Sequence, residues 1–366
     1  MGIDTIIRIS HKYGGNEEYV LAGGGNTSYK TSDHLYIKGS GHALATIEED
    51  GFVKMSRDRL EKIWHKEYPK NVKDREAQVL ADMMASRCEG EELKRPSVET
   101  LLHNLFKNTY VLHVHPTRVN GITCSQNGEK AVKRLFPNAV WIEETEPGYI
   151  LASVCRKKLG EYREKNGKDA VLLFLQNHGI FFAADGEDEM NMLVSSVMRR
   201  IKIEEITEPD FSDVLEIADS EKITERISSA LKCHTEFTVN KEIERLCKNE
   251  NAFSDVLYPM TPDHIVYCKS SPLFVNDIGN LEDNIESFKA KHGFSPKIIF
   301  VKNVGMFSCG NDAKDCSTAK KLWLDEIKIS VYAKNFGGVR PMAPEMIEFI
   351  ANWEVESYRS KVALKR

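Results

Sequence analysis

An α/β fold in two domains is what this sequence predicts, on three observations. Short apolar runs of strand length stand at residues 35–37, 110–114 and 171–175. Segments with apolar residues at helical spacing lie between and after them, notably 97–106 and 190–206. The 366 residues exceed what one hydrophobic core usually organises.

The first informative element is a loop. Residues 22–28 are glycine-rich and end in the small donors Asn26, Thr27 and Ser28. A second loop, Lys38-Gly39-Ser40-Gly41, follows the strand-like 35–37 run. Backbone amides exposed by glycines form anion-binding nests, and hydroxyl and amide side chains add donors. Neither the dinucleotide fingerprint nor the P-loop pattern is present, because the glycines lack the required spacing and no Gly-Lys-Ser/Thr follows. Next comes a helix start at Arg95-Pro96-Ser97, with Ser97 as the expected N-cap. That placement puts Glu99 in the first turn and adds a third anion-binding element. A carboxylate there complements the helix dipole, or serves as a metal ligand or general base. His103, one turn on, reads as packing or support rather than as a ligand.

Residues 110–116 carry His113 and His115 on a strand. Side chains alternate along a strand, so residues i and i+2 share a face. A lone His-x-His also occurs with one ring capping a strand and the other in solvent. Here a further apolar run, 171–175, leads into Gln176-Asn177-His178-Gly179. His178 therefore also stands at the end of a buried strand, beside a glycine that permits close backbone approach. Three histidines at two strand ends can hold a divalent metal with one position open, the catalytic rather than the structural arrangement.

Together these motifs resemble the class II aldolase/adducin family. Gly25-Asn26-Thr27-Ser28, Lys38-Gly39-Ser40-Gly41, Pro96-Ser97-x-Glu99, His113-x-His115-Pro116 and Asn177-His178-Gly179 occur in that family's order and rough spacing, over about residues 15–205. The resemblance implies a central, mainly antiparallel sheet flanked by helices. It implies that His113, His115 and His178 hold zinc, or another divalent ion such as Mn2+. Glu99 would ligate the resting metal and then act as the base. Gly25, Asn26, Thr27, Ser40, Gly41 and Ser97 would cradle a sugar phosphate, with Lys38 adding positive charge. It further implies a homo-oligomer, the family often forming four-fold tetramers with active sites at subunit interfaces.

The C-terminal part is similar to the aldolase portion of bifunctional rhamnulose-phosphate aldolase/alcohol dehydrogenases, through residues 261–267 and 302–307 and the stretch around Phe336-Gly337-Gly338 and Trp353. No Rossmann fingerprint occurs, so a dehydrogenase half is not expected in this chain. The implied reaction is cleavage of a ketose 1-phosphate, rhamnulose 1-phosphate-like, to dihydroxyacetone phosphate and a small aldehyde. The family's tyrosine acid would fall near Tyr149, whose register against Pro147 and Gly148 fits a packing role as well. Other members are sugar-phosphate 4-epimerases, thioribulose-phosphate dehydratases and the non-enzymatic adducin scaffold. Epimerases tend to have Asp where this chain has Glu99, and an adducin-like chain is expected to have lost its ligands.

A faint internal repeat is also legible. Residues 31–38 parallel 261–269, and Asn177-His178-Gly179 parallels Asn303-Val304-Gly305. The second copy has valine in place of His178 and no second His-x-His. The expected organisation is therefore a metal-dependent catalytic domain over 1–207, a helical connector over 208–250, and a smaller metal-free α/β domain over 251–366 that is a truncated copy of the same fold. Helices are expected at 190–206, 222–231, 241–246, 319–332 and 344–359.

Composition narrows the rest. A net charge of −5 gives no sign of a nucleic-acid partner. No apolar run is long enough to span a bilayer, and the N-terminus has no charged-then-apolar leader, so no membrane partner is expected. Eight scattered cysteines without Cys-x-x-Cys fit reduced thiols in a cytoplasmic protein.

Overall fold

The computed structural model describes residues 2–214 and 219–353. It divides into two compact units, residues 1–123 with 128–204, and residues 124–127 with 205–366.

The first unit is built on a seven-stranded sheet. Its strands are β1 (Asn26–Lys30), β2 (His34–Lys38), β3 (Phe52–Ser56), β4 (Tyr110–Val114), β5 (Val140–Ile142), β6 (Leu172–Leu175) and β7 (Gly179–Ala184). Their order is β3-β2-β1-β4-β7-β6-β5. Every pair is antiparallel except β5 with β6. The central strands β4, β6 and β7 are buried throughout, which is why their sequences are continuous apolar runs rather than alternations. Helices flank the sheet. Helix Tyr149–Asn166 carries the crossover that a parallel β5–β6 pair needs. Leu151, Ala152, Cys155 and Leu159 from it join a core with Val111, Leu173, Phe181 and Ala183 of the sheet. Helix Glu187–Glu204 buries Met190, Val194, Val197 and Ile201.

The second unit has a four-stranded sheet of β8 (His234–Thr238), β9 (Leu273–Val275), β10 (Ile298–Val301) and β11 (Gly305–Gly310), in the order β8-β11-β10-β9. Here β9 and β10 are parallel and the other pairs antiparallel. This repeats the β4-β7-β6-β5 half of the first sheet strand for strand. Helix Leu281–His292 crosses between the parallel strands as Tyr149–Asn166 does, and helix Ala313–Ala333 follows β11 as Glu187–Glu204 follows β7. The β6–β7 and β10–β11 turns even share a left-handed asparagine, Asn177 at φ 55° and Asn303 at φ 58°.

Part of the expected repeat fails. Residues 34–38 form strand β2, whereas Pro262–Cys268 is a helix. Proline at the first helical position, with its φ already helical, sets that difference. The 261–269 match to 31–38 is therefore a chance likeness, while the Asn-x-Gly match marks equivalent turns. Residues 208–250 also differ from a purely helical connector. Between helices Ser220–Leu231 and Lys241–Leu246 they supply β8, an edge strand too short to show against its helical neighbours. The expected 344–359 helix is seen as Pro344–Asn352, and its remainder lies outside the described residues.

Candidate metal centre

The centre forms where β4 ends and β7 begins. Strand geometry sends His113 and His115 to one face, and their Nε2 atoms lie 3.0 Å apart. His113 is fully buried, stacks on Phe181, and donates from Nδ1 to the Ile180 carbonyl at 3.0 Å. That bond fixes the tautomer and leaves the Nε2 lone pair directed at the centre. His178 joins from the β6–β7 turn, and ligand atoms of all three histidines lie within 4.8 Å of one another.

Glycines make the convergence possible. A Cβ on Gly179 would stand 2.6 Å from the Val114 carbonyl oxygen and 2.7 Å from Cδ2 of His115. A Cβ on Gly25, at φ +68°, would stand 2.8 Å from the His113 carbonyl oxygen. Gly179→Ala is therefore expected to push the His115 ring aside and weaken divalent-metal binding about 10–100-fold, the range seen for groups that orient ligands. Calorimetric titration of Zn2+ checks this, and unchanged affinity would remove Gly179 from the argument.

Glu99 faces the histidines. Its Oε1 lies 3.3 Å from His113 Nε2 and 3.6 Å from His178 Nε2, yet is buried without a hydrogen-bond partner. Its Oε2 accepts from Asn26 Nδ2 at 2.5 Å. Asn26 is held in turn by His103, whose Nε2 bonds Asn26 Oδ1 and whose Nδ1 lies 2.8 Å from Ser28 Oγ. Since Asn26 donates to Glu99, its Oδ1 must accept, so His103 carries its proton on Nε2. Burial, with Lys30 and His113 adding to it, holds His103 well below the usual imidazole range, so the ring is neutral. Lys30 Nζ donates to the His103 carbonyl at 3.2 Å. Asn26, Ser28 and Lys30 are alternate residues of β1, and this inward-facing row reaches Glu99 through His103 and Asn26. Glu99 and His103, four apart in sequence, were the only legible hint of that relay.

The donor set fits a divalent ion. Tetrahedral zinc with bonds of ~2.0–2.1 Å separates its ligand atoms by about 3.3 Å, close to the 3.0 Å and 3.3 Å distances around His113. Imidazoles with a carboxylate suit zinc and its first-row neighbours.

The anion-loop residues divide. The Lys38–Gly41 loop is laced to the Arg95–Ser97 segment: Ser97 N donates to Lys38 O at 3.1 Å and Ser40 N to Arg95 O at 2.8 Å. Gly41 sits at φ +91° in that loop. The Ser40 and Ser97 amides are thus used inside the protein, and Ser40 Oγ donates to Pro96 O at 3.2 Å. Ser97 is not the N-cap. The helix is Thr100–Leu105 with Glu99 at the cap position, and Ser97 Oγ instead accepts from Glu99 N at 3.3 Å in the preceding turn. Thr27 does not belong to the site. It points to the opposite face of β1 from Asn26, fully buried, with Oγ1 2.7 Å from Ser10 Oγ. Tyr149 packs against Trp64 and Tyr68.

The described residues of the second unit carry no counterpart of this centre at the equivalent positions. Val114 pairs with Ile180 next to the first turn, and Thr238 pairs with Met306 next to the second. In that register His113 corresponds to Phe237, His115 to Val239 and His178 to Val304.

The fold and the His/Glu cluster thus define an α/β protein with a candidate divalent-metal centre. Residues 4–205 match the family described as Class II Aldolase and Adducin N-terminal domain, and the chain belongs to that family. Over 419 aligned residues it is 21% identical to the uncharacterized oxidoreductase YuxG of Bacillus subtilis (strain 168), taking in 99% of this chain and 58% of that protein. The chain therefore spans little more than half the length of that relative. Among solved structures, the N-terminal class II aldolase domain of a conserved Thermoplasma acidophilum protein is 24% identical, with 55% of this chain and 92% of that one covered and a TM-score of 0.46. YgbL of Klebsiella pneumoniae, a putative aldolase/epimerase/decarboxylase, is 12% identical over 56% and 89% of the two chains, with a TM-score of 0.39. No helix among the described residues is long and apolar enough to cross a membrane.

Proposed function

We propose that the chain is a metal-dependent aldolase that cleaves a ketose 1-phosphate, rhamnulose 1-phosphate-like, to dihydroxyacetone phosphate and a small aldehyde. The observation that carries this reading is the buried, orphaned Glu99 Oε1 facing two of the three converging histidines. His113, His115 and His178 would hold a divalent ion, which would supply Lewis-acid polarisation of the substrate ketone. Glu99 carries the proton of the enediolate step: the C4 hydroxyl gives up its proton as the C3–C4 bond breaks, and Glu99 returns one to C3 of the three-carbon enediolate. Asn26 holds Glu99 in place, and neutral His103 holds Asn26. Gly25, Ser40, Gly41 and Ser97 shape the loops at the phosphate end, with the Ser97 hydroxyl as the available side-chain donor, a positioning effect, while Lys38, on the Thr27 face of the sheet, adds positive charge from behind. The sugar-phosphate substrate, zinc as the resident metal and a homo-oligomeric assembly belong to the same reading, as does a catalytic domain over residues 1–207.

The test is a retro-aldol assay with a panel of ketose 1-phosphates and coupled detection of dihydroxyacetone phosphate. Turnover should be lost on chelation and restored by Zn2+ or Mn2+. Binding of metal with silence across the panel would sink the aldolase reading in favour of an epimerase or dehydratase. Silence with no metal bound would favour a scaffold.

A further inference from the structure

The second unit carries a different cluster of ligating side chains, on the strand equivalent to β4. His234 and Glu236 are residues i and i+2 of β8, so they share a face as His113 and His115 do. Cys316, in helix Ala313–Ala333, completes the set. One ligand atom from each of the three lies within 4.8 Å of the others. We propose that His234, Glu236 and Cys316 form a second metal site, for a thiophilic divalent cation such as Zn2+.

The surroundings fit that assignment. His234 Nε2 stands 3.8 Å from Glu236 Oε1, too far for a hydrogen bond and about half an ångström wider than two nitrogen or oxygen ligands on one zinc ion. Glu236 Oε2 is oriented by Lys320 Nζ at 2.6 Å, which leaves Oε1 turned toward His234. Cys316 Sγ is buried and lies 3.0 Å from the Ser308 carbonyl and 3.4 Å from Ser308 Oγ. When the cation binds, the thiol gives up its proton to solvent, and the Ser308 hydroxyl turns to donate to the resulting thiolate. Zinc against one thiolate and one carboxylate leaves no net charge at the centre, with Lys320 on the outer side of the carboxylate. Imidazole, carboxylate and thiolate are all zinc ligands, and the mixed set with sulfur disfavours Mg2+ and Ca2+. His234 is exposed, so solvent reaches the cluster from the β8 side. The site uses the His-x-ligand device at the start of β8, whereas the first centre uses it at the end of β4. It is therefore not a remnant of the first centre, whose equivalent positions are Phe237, Val239 and Val304.

Cobalt tests this without reference to turnover. The first centre has no sulfur among its candidate ligands, so a thiolate-to-cobalt charge-transfer band on adding Co2+ to the full chain reports on a cysteine site alone. The expected result is such a band, with the amplitude of one cobalt–thiolate bond per chain, while the first centre takes up a further ion without adding to it. Cys316→Ser should abolish it. His234→Ala, at a largely exposed position that leaves the core untouched, should weaken the affinity at least ten-fold. His178→Ala should leave the band unchanged. Absence of the band at saturating Co2+ would overturn the proposal. So would a band that survives Cys316→Ser and His234→Ala but disappears in Cys233→Ser, since the neighbouring Cys233 and Cys309 would then be its source.

Discussion

Glu99→Gln is expected to lower retro-aldol kcat by about 10²–10⁴-fold, the usual weight of a positioned acid–base group. Glutamine keeps the shape and can still accept from Asn26, but it cannot carry a proton. Three histidines remain to hold the ion, so metal content should stay near that of the parent protein. His178→Ala should lose turnover by a different route, through loss of the metal itself, with content falling in parallel. His103→Gln is the informative companion. It touches no substrate, yet it removes the ring that orients Asn26, so its loss of kcat should be smaller and should come with little change in KM. Metal analysis beside steady-state kinetics separates the three. Full activity in Glu99→Gln would remove this carboxylate from the proton path and with it the proposed chemistry.

The second large effect is on stability, and it lies in the second unit. His264 and Glu326 are both fully buried, joined from Nδ1 to Oε2 at 2.5 Å, with Asp325 Oδ2 3.4 Å from Nε2. Met260 N donates to Glu326 and Thr261 Oγ1 bonds His264. Burial disfavours the imidazolium, but the charges of Glu326 and Asp325 outweigh it and push His264 up to about 10. His264→Gln leaves a buried carboxylate without its counter-charge and is expected to cost about 3–5 kcal/mol in denaturant unfolding. Replacing His264 and Glu326 together by leucine and methionine should recover most of that loss. The pH dependence follows from the sign of the shift. The folded state holds the proton more tightly than the unfolded chain, whose histidine titrates near 6.5. The pair's contribution is therefore complete below about pH 6.5 and falls away as pH rises toward 10. The parent protein's resistance to unfolding should fall across that window by more than that of His264→Gln, which lacks this contribution, and equal slopes would show that the pair adds nothing to stability.

The sequence shows the His-x-His pair because two-residue periodicity fixes a shared face once the strand is recognised. It shows His178 because a buried strand is an uninterrupted apolar run. It does not show that Thr27 faces away, since that depends on β1 beginning at Asn26, a boundary no residue there marks. Ser97 has the right type for an N-cap, yet a turn lies between it and the helix, and turn and first helical residues look alike in sequence. Strand β8 is masked because five moderately polar residues lie between two helical patterns. The His264–Glu326 pair and the Glu99–Asn26–His103 relay need segments far apart in sequence, for which local spacing carries no signal.

The tandem sheets have a kinetic consequence. Strands β7 and β11 both open on glycine and place phenylalanine third, as Gly179 with Phe181 and Gly305 with Phe307. Both seek an antiparallel partner, β4 for one and β8 for the other. A chain released whole from denaturant offers each strand two similar mates, which is how tandem repeats come to misassemble. During synthesis the N-terminal pair closes first, before β8 has left the ribosome. The order of translation therefore favours β7 over β11 as the partner of β4.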